Sequence, residues 1–323
     1  MASIKFRWNV SGTYQQVLPK YISLDRDGNY KELLPYYYTK PFADVNMVFL
    51  KGYQWPFDVG KICGSSMIDL IVYHEIFEKR NRVFLDFREN PSCLGRGFSG
   101  LSEEAHEYLS RSNALFGAPI DRLQTMNPLA IELYKNHGID LYREPLEISV
   151  CAQHNNGGIA VDLNWESSIK GLYAVGEAAG TFGVYRPGGA ALNSTQVGSM
   201  RAAEHIADTG SSKLREINEF ISLSREEIDH FLTECVSLCG KAAPTSNINR
   251  LRTSLRKKMS SYVAHIRSLE DISRVREEMV GLLLRFFKEI EIREIQELPF
   301  ALKTRDTLIT QISMLSSMQI AGS

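Results

Sequence analysis

The chain has 323 residues, 44% hydrophobic and 23% charged, with Lys+Arg 37 against Asp+Glu 38. That length accommodates roughly two or three domains with a sizeable core, and a net charge of −1 excludes a dominant nucleic-acid or anionic-membrane footprint. No apolar run approaches the roughly 18 residues of a membrane span, no basic-then-apolar leader follows Met1, and the cysteines at 63, 93, 151, 235 and 239 form no C-x-x-C, which argues against a disulfide framework or a metal site and for a reducing, cytoplasmic location.

In chain order, residues 1–145 read as a mixture of short elements, rich in aromatics over 1–87. Helical periodicity runs from Met67 to Lys79, and Arg82–Phe87 reads as a strand. Helices are expected over Ser102–Ser110 and over Leu129–Asn136, the latter opened by Pro128. Leu146–Val150 is a strand, and a second ends at Asp162. Gly171–Glu177 reads as a third, buried strand that stops at a Gly-Glu pair. A helix then runs to about Ala207. Residues 1–210 hold 20 of the 23 glycines, so a boundary is expected at the turn-rich Asp208-Thr-Gly-Ser-Ser212. The last third reads as helices. Ser224-Arg-Glu-Glu227 has the form of a capping box, and apolar residues recur at helical spacing from Leu251 to Ile266 and from Ile272 to Ile290.

Two glycine clusters compete as ligand cradles. Gly95-Arg-Gly-Phe-Ser-Gly100 is a literal G-x-G-x-x-G, but Glu89-Asn-Pro-Ser92 separates it from its strand. A dinucleotide fingerprint must leave the strand directly, so the cluster reads as a loop before a helix. The second cluster, Gly157–Gly198, has nine glycines in 42 residues. Its Gly-Gly loop feeds a helix N-terminus, whose free N–H groups suit an anionic or carbonyl ligand. The acid at the end of the preceding strand suits a polyol, because a carboxylate accepts two hydrogen bonds.

Four blocks in this region, His-x-x-Gly-Gly-Ile (154–159), Gly-Leu-Tyr-Ala-x-Gly-Glu (171–177), Arg-x-Gly-Gly (186–189) and Gly-x-x-Arg-Ala-Ala (198–203), resemble the fumarate reductase/succinate dehydrogenase flavoprotein superfamily. The resemblance implies an α/β (α+β) chain in three parts. Residues 1–145 would be the cap or substrate domain with its lead-in, 146–210 part of a Rossmann-like FAD-binding domain, and 211–323 an all-α C-terminal domain. It implies FAD as cofactor, held in a larger protein whose N-terminal FAD-binding half this stretch lacks, so that residues 1–323 alone are expected to be inactive and free of FAD. No metal is implied.

Carried over residue by residue, Arg186 matches the substrate-clamping arginine and His154 the substrate-contacting histidine. Glu177, beside Gly176, matches the acid on the FAD ribityl chain. Gly189 and the stretch Ala190–Asn193, including Ala191, Leu192 and Asn193, match the helix start that meets the flavin pyrimidine. One departure concerns the proton donor: Gly64-Ser-Ser-Met67 stands where the family carries a catalytic arginine, and Lys61 is the nearest base. The implied reaction is hydride transfer between flavin and the C–C bond of an unsaturated organic acid or enone. The alternatives are an amino-acid oxidase or ketosteroid-type dehydrogenase of the same family, and a non-catalytic binding subunit that keeps the fold. The expected partners are the small-molecule substrate and the FAD-binding half, with neither nucleic acid nor a membrane span.

Overall fold

The computed structural model describes every residue except 55–56, 152–156, 183–189, 210–215, 241–242, 265 and 323. It divides into two compact units, Met1–Asp208 and Thr209–Ser323. Among the described residues no helix is long and apolar enough to cross a membrane.

The first unit is built on a five-stranded antiparallel sheet. Its strands are β1 (Ala2–Ser3), β2 (Lys20–Leu24), β3 (Tyr30–Glu32), β4 (Arg82–Asp86) and β5 (Leu146–Ser149), in the spatial order β1-β5-β4-β2-β3. β2 and β3 form a hairpin whose Asp25 carboxylate accepts the backbone N–H groups of Asp27 (2.9 Å) and Asn29 (2.8 Å), a side-chain mimic of a backbone turn. Around the sheet lie α1 (Thr13–Gln16), α2 (Ala43–Tyr53), α3 (Met67–Tyr73), α4 (Glu103–Arg111), α5 (Pro119–Met126) and α6 (Pro128–Asn136). α3 continues through a π turn to Glu78, which matches the helical periodicity expected to Lys79. Ser102 caps α4 by accepting the Ala105 N–H, and prolines open both α5 and α6.

Alternation along the strands sorts the two faces of the sheet. Tyr21, Val83, Leu85, Leu146 and Ile148 enter one apolar core with Val48, Ile68, Ile71, Val72, Leu123 and Tyr134 from the helices. On the opposite face Ile22 pairs with Phe84. The Arg82 guanidinium lies over the Phe84 ring at 5.0 Å and is held there by a two-pronged bond to Glu147 (2.7 and 2.6 Å). The charged pair thus roofs apolar surface that would otherwise face water.

The first G-x-G-x-x-G is packing, as its context indicated. A short helical turn over Ser92–Arg96 leads into it, and a methyl group on Gly100 would strike the Phe42 ring at 2.2 Å.

Two buried charges tie this unit together. The Arg122 guanidinium, fully buried, donates to the carbonyls of Val17 (3.0 Å), Phe116 (3.0 Å) and Gly117 (2.8 Å) and to Asn90 Oδ1 (2.9 Å). Burial lowers its pKa to about 10, an effect the Asp121 carboxylate offsets only in part. Glu75, also fully buried, accepts from Ser23 (2.7 Å), Lys79 (2.7 Å), Asn81 (2.9 Å) and Tyr37 (3.2 Å).

After β5 come short bridged turns, described below, and then α7 (Ala190–Thr209). The segment Gly171–Glu177 is not the buried strand its sequence suggests. Only single bridges join it and its neighbours, Glu166 to Tyr173 and Ile159 to Ala179, and Leu172 and Val175 are exposed. A buried parallel strand needs a ladder on each side, and the described residues provide none there.

The second unit is helical: α8 (Ile217–Gly240), α9 (Ile248–Tyr262), α10 (Leu269–Leu284), α11 (Phe286–Glu289) and α12 (Leu298–Gly322). Leu255, Ile272, Val275, Met279, Phe286, Leu308 and Leu315 form its core, so the observed packing follows the periodicity of α9 and α10. The capping box expected at Ser224-Arg-Glu-Glu227 is absent, because α8 already begins at Ile217 and carries these residues in its interior. Propagating an existing helix is cheaper than nucleating a new one. The cap that does form is Ser268, whose Oγ accepts the Asp271 N–H at 3.1 Å.

Burial alone would raise the pKa of Glu75, but the bonds from Lys79, Ser23 and Asn81 outweigh it and hold the value at about 2, against 4.5 unperturbed. A depressed carboxylate contributes stability that is present above pH 4.5 and lost as pH falls toward 2, here about 3 kcal/mol. Glu75→Gln is therefore expected to lower stability at pH 7 by about 2–3 kcal/mol and to flatten the acid limb of the profile between pH 4.5 and 2. Chemical denaturation across that range checks it; an unchanged acid limb would show that Glu75 is not the titrating group.

Candidate functional site

The turns between Gly157 and Phe182 fold back on themselves and meet the start of α7. Asp162 Oδ1 accepts the backbone N–H groups of Asn164 (2.8 Å) and Glu166 (3.0 Å), which hold its pKa below the usual carboxylate value. Glu166 in turn accepts from the Gly171 N–H (2.8 Å) and Lys170 Nζ (2.9 Å), and these bonds keep it ionised. Through these bonds the two carboxylates stiffen the turns.

The residues beyond them approach by backbone. Ile159 N–H donates to the Ala178 carbonyl and Gly180 N–H to the Ile159 carbonyl, both at 2.9 Å. The approach is so close that a methyl group on Gly158 would stand 2.5 Å from the Ala178 oxygen. Gly176 holds φ at +70°, in the left-handed region that glycine adopts without penalty, and faces Thr195 of α7, 3.2 Å from where a β-carbon would be. Thr195 Oγ1 donates back to the Ala191 carbonyl at 2.8 Å. The Gly176–Ala178 turn is thereby set against the first turns of α7.

The structure thus brings Gly176, Glu177 and the α7 start with Ala191, Leu192 and Asn193 into one neighbourhood. Glu177, Leu192 and Asn193 are exposed. His154, Arg186 and Gly189 lie outside the described residues. Gly158 and Thr195, absent from the site expected from sequence, belong to the same neighbourhood. Gly158 was legible as part of His-x-x-Gly-Gly-Ile, whereas Thr195 carries no motif. Ser65 and Ser66, where an arginine was sought, are buried and used locally. Ser65 Oγ donates to Gln54 Oε1 at 2.8 Å, and Ser66 Oγ accepts the Asp58 N–H at 3.1 Å. Lys61 pairs with Asp58 at 3.4 Å.

Chemically, this is a site for a flat, partly anionic group with a polyol chain. The start of a 20-residue helix offers unpaired N–H groups and the positive end of its dipole. Glu177, which is exposed, follows Gly176 in the turn set against this helix, and Gly158 and Gly176 let the backbone approach its neighbours more closely than a side chain would allow. A flavin with its ribityl chain fits that donor and acceptor set.

Comparison with known proteins bears on the same segment. The FAD binding domain family matches residues 68–192. An FAD-dependent oxidoreductase of Methanocaldococcus jannaschii is 32% identical over 160 residues, 49% of this chain and 27% of its own length. A chain of the fumarate reductase (CoM/CoB) of Methanothermobacter marburgensis is 28% identical over 211 residues, 65% of this chain and 32% of its own. L-aspartate oxidase of Nostoc sp. is 40% identical over a shorter stretch of 76 residues, 24% of this chain and 13% of its own. In fold, the chain is similar to E. coli quinol fumarate reductase, with a TM-score of 0.56 at 19% identity, over 93% of this chain and 47% of that one.

The matched segment is similar to the FAD binding domain family, and over part of its length the chain is similar to flavoproteins of the fumarate reductase and L-aspartate oxidase kind. It spans about half of the fumarate reductase chain it resembles in fold, and its alignments cover about a third or less of the curated relatives.

Gly176→Ala is expected to destabilise the first unit by about 1–2 kcal/mol, from the left-handed φ and the crowding against Thr195. Thermal unfolding measures this; full stability in the variant would show that the turn does not depend on close contact with α7.

Proposed function

We propose that this chain works within an FAD-dependent oxidoreductase that transfers hydride between flavin and the C–C bond of an unsaturated organic acid or enone. The observation that carries the reading is the meeting of the Gly158 approach, the Gly176–Glu177 turn and the α7 N-terminus in one place. It is supported by the similarity to a fumarate reductase chain.

Bound FAD supplies the hydride-transferring centre. The chain's own residues bind and orient. Glu177 accepts hydrogen bonds from the ribityl hydroxyls. The amides of Ala190–Asn193 offer donors and the positive helix end to the pyrimidine carbonyls, favouring negative charge on the reduced ring. Arg186 clamps a substrate carboxylate through its planar fork, with its backbone stiffened by the following Pro187. His154 donates to a substrate carboxylate or carbonyl and stabilises negative charge developing on it. The binding residues for the adenosine end of the cofactor would come from a further FAD-binding segment.

A second reading is favoured by one observation, the 40% identity to L-aspartate oxidase over 76 residues: the same site would then oxidise an amino acid. Assay of the flavin-loaded protein for fumarate reduction with a reduced viologen dye, beside aspartate-dependent formation of hydrogen peroxide, separates the two.

Two substitutions test the assignments. Glu177→Ala is expected to weaken FAD retention by at least about 10-fold, while Glu227→Ala, in the interior of α8, leaves it unchanged; equal retention, read from the flavin absorbance of the purified protein, removes Glu177 from the site. Arg186→Lys keeps the charge and loses the two-pronged geometry. It is expected to lower kcat/KM by at least about 100-fold, roughly 3 kcal/mol of transition-state stabilisation, with flavin content unchanged. Near-normal turnover, or an unfolded variant, would make the arginine structural.

A further inference from the structure

The segment 161–201 concentrates two local penalties that the packing of the described residues does not repay. Trp165 holds φ at +63°, a left-handed conformation unusual for a bulky residue. Its indole lies so close to α7 that a methyl group on Gly198 would fall 2.5 Å from Nε1. That Nε1–H is buried without an acceptor. On the same helix the Arg201 guanidinium sits 5.6 Å from the centre of the Trp165 ring, and among the described residues no carboxylate pairs with it. Strained backbone and an orphan donor beside a solvent-exposed guanidinium point to function more than to stability.

These residues enclose an open hollow of about 670 Å³, within the range of small-ligand sites. One wall is apolar, from Val161 and Leu163 with the Trp165 ring. The other is polar, from Arg201 and the hydroxyls of Thr181 and Ser194, which stand 3.5 Å apart. Asp162 also borders the hollow, but its Oδ1 is committed to the Asn164 and Glu166 amides. The arginine and the paired hydroxyls can all donate to an oxyanion. Arginine stacked on an indole is already ordered, so little side-chain entropy is lost when it binds one.

We propose that this hollow binds a small organic oxyanion, a carboxylate or phosphate ester with a short apolar body, with Arg201 as its charge partner and Trp165 as the platform that holds the arginine. The site uses none of the residues assigned to flavin or substrate, so it stands or falls apart from that reading.

The test is a titration of the full chain with succinate and, separately, with inorganic phosphate. Ionic strength is held constant with sodium chloride, and binding is read by tryptophan emission and by calorimetry. A saturable response to either anion in the millimolar range is expected. Arg201→Gln, at an exposed position, should weaken it by at least about 10-fold with unchanged thermal unfolding. Trp165→Phe should remove the emission change while calorimetry still reads binding. Preference for succinate assigns the carboxylate source, and preference for phosphate the phosphate source. No saturable response to either anion beyond that of chloride, or equal binding by Arg201→Gln, overturns the proposal.

Discussion

Where Gly158 passes Ala178, the space for a single methyl group is missing: a β-carbon there would stand 2.5 Å from a carbonyl oxygen. The candidate site depends on this contact. It lets Ile159 donate to the Ala178 carbonyl and accept from the Gly180 N–H of the facing segment, which fixes the Gly176–Ala178 turn. Gly176 then sets that turn against Thr195. Because the first turns of α7 bond to one another through Thr195 and Ala191, the helix start and the Gly176–Ala178 turn are carried to the same place by backbone geometry. A larger residue at either glycine would separate them.

The sheet that precedes these turns is held by a different device, buried charge with complete hydrogen bonding. Arg122 gathers the carbonyls of Val17, Phe116 and Gly117 and the Asn90 side chain, and Glu75 gathers donors from β2, the end of its own π turn and the loop before β4. Lys51 of α2 and Asp69 of α3 form a buried ion pair between their helices. Each such group has a steep penalty if one partner is lost, which makes the arrangement specific: the helices can pack on the sheet in one register. The match to the FAD binding domain family runs from α3 through β4 and β5 to the first residues of α7, so it joins this rigid sheet to the glycine turns within one compact unit.

The hollow beside Trp165 is built on the same helix but by different logic. The turns around Gly158 and Gly176 gain from close backbone approach, whereas the hollow is framed by long side chains, an indole and a guanidinium, over a glycine that admits them. One helix thus presents its N-terminus to one neighbourhood and a face two turns along to another, because successive turns of α7 meet successive turns of the 159–182 segment.

The sequence by itself determined the helices whose boundaries are local. The helical stretch from Ser102 that forms α4, Pro128 at the start of α6 and the apolar periodicity of α9 and α10 act within a few residues, so no distant partner is needed to read them. It also determined the glycine-rich neighbourhood of Gly176, Glu177 and the α7 start, because ordered motifs record a backbone path. Only the tertiary structure decided the rest. Whether Gly171–Glu177 is a strand depends on ladders from other segments, since strand identity resides in its neighbours. Ser224 resembled a cap because capping boxes are local patterns, yet seven residues of helix already precede it. The roles of Gly158 and Thr195, the carbonyl acceptors of Arg122 at Val17 and Phe116 and the pairing of Arg201 with Trp165 join residues from six to more than a hundred positions apart. No sequence pattern fixes such contacts, because packing sets them only once the chain has folded.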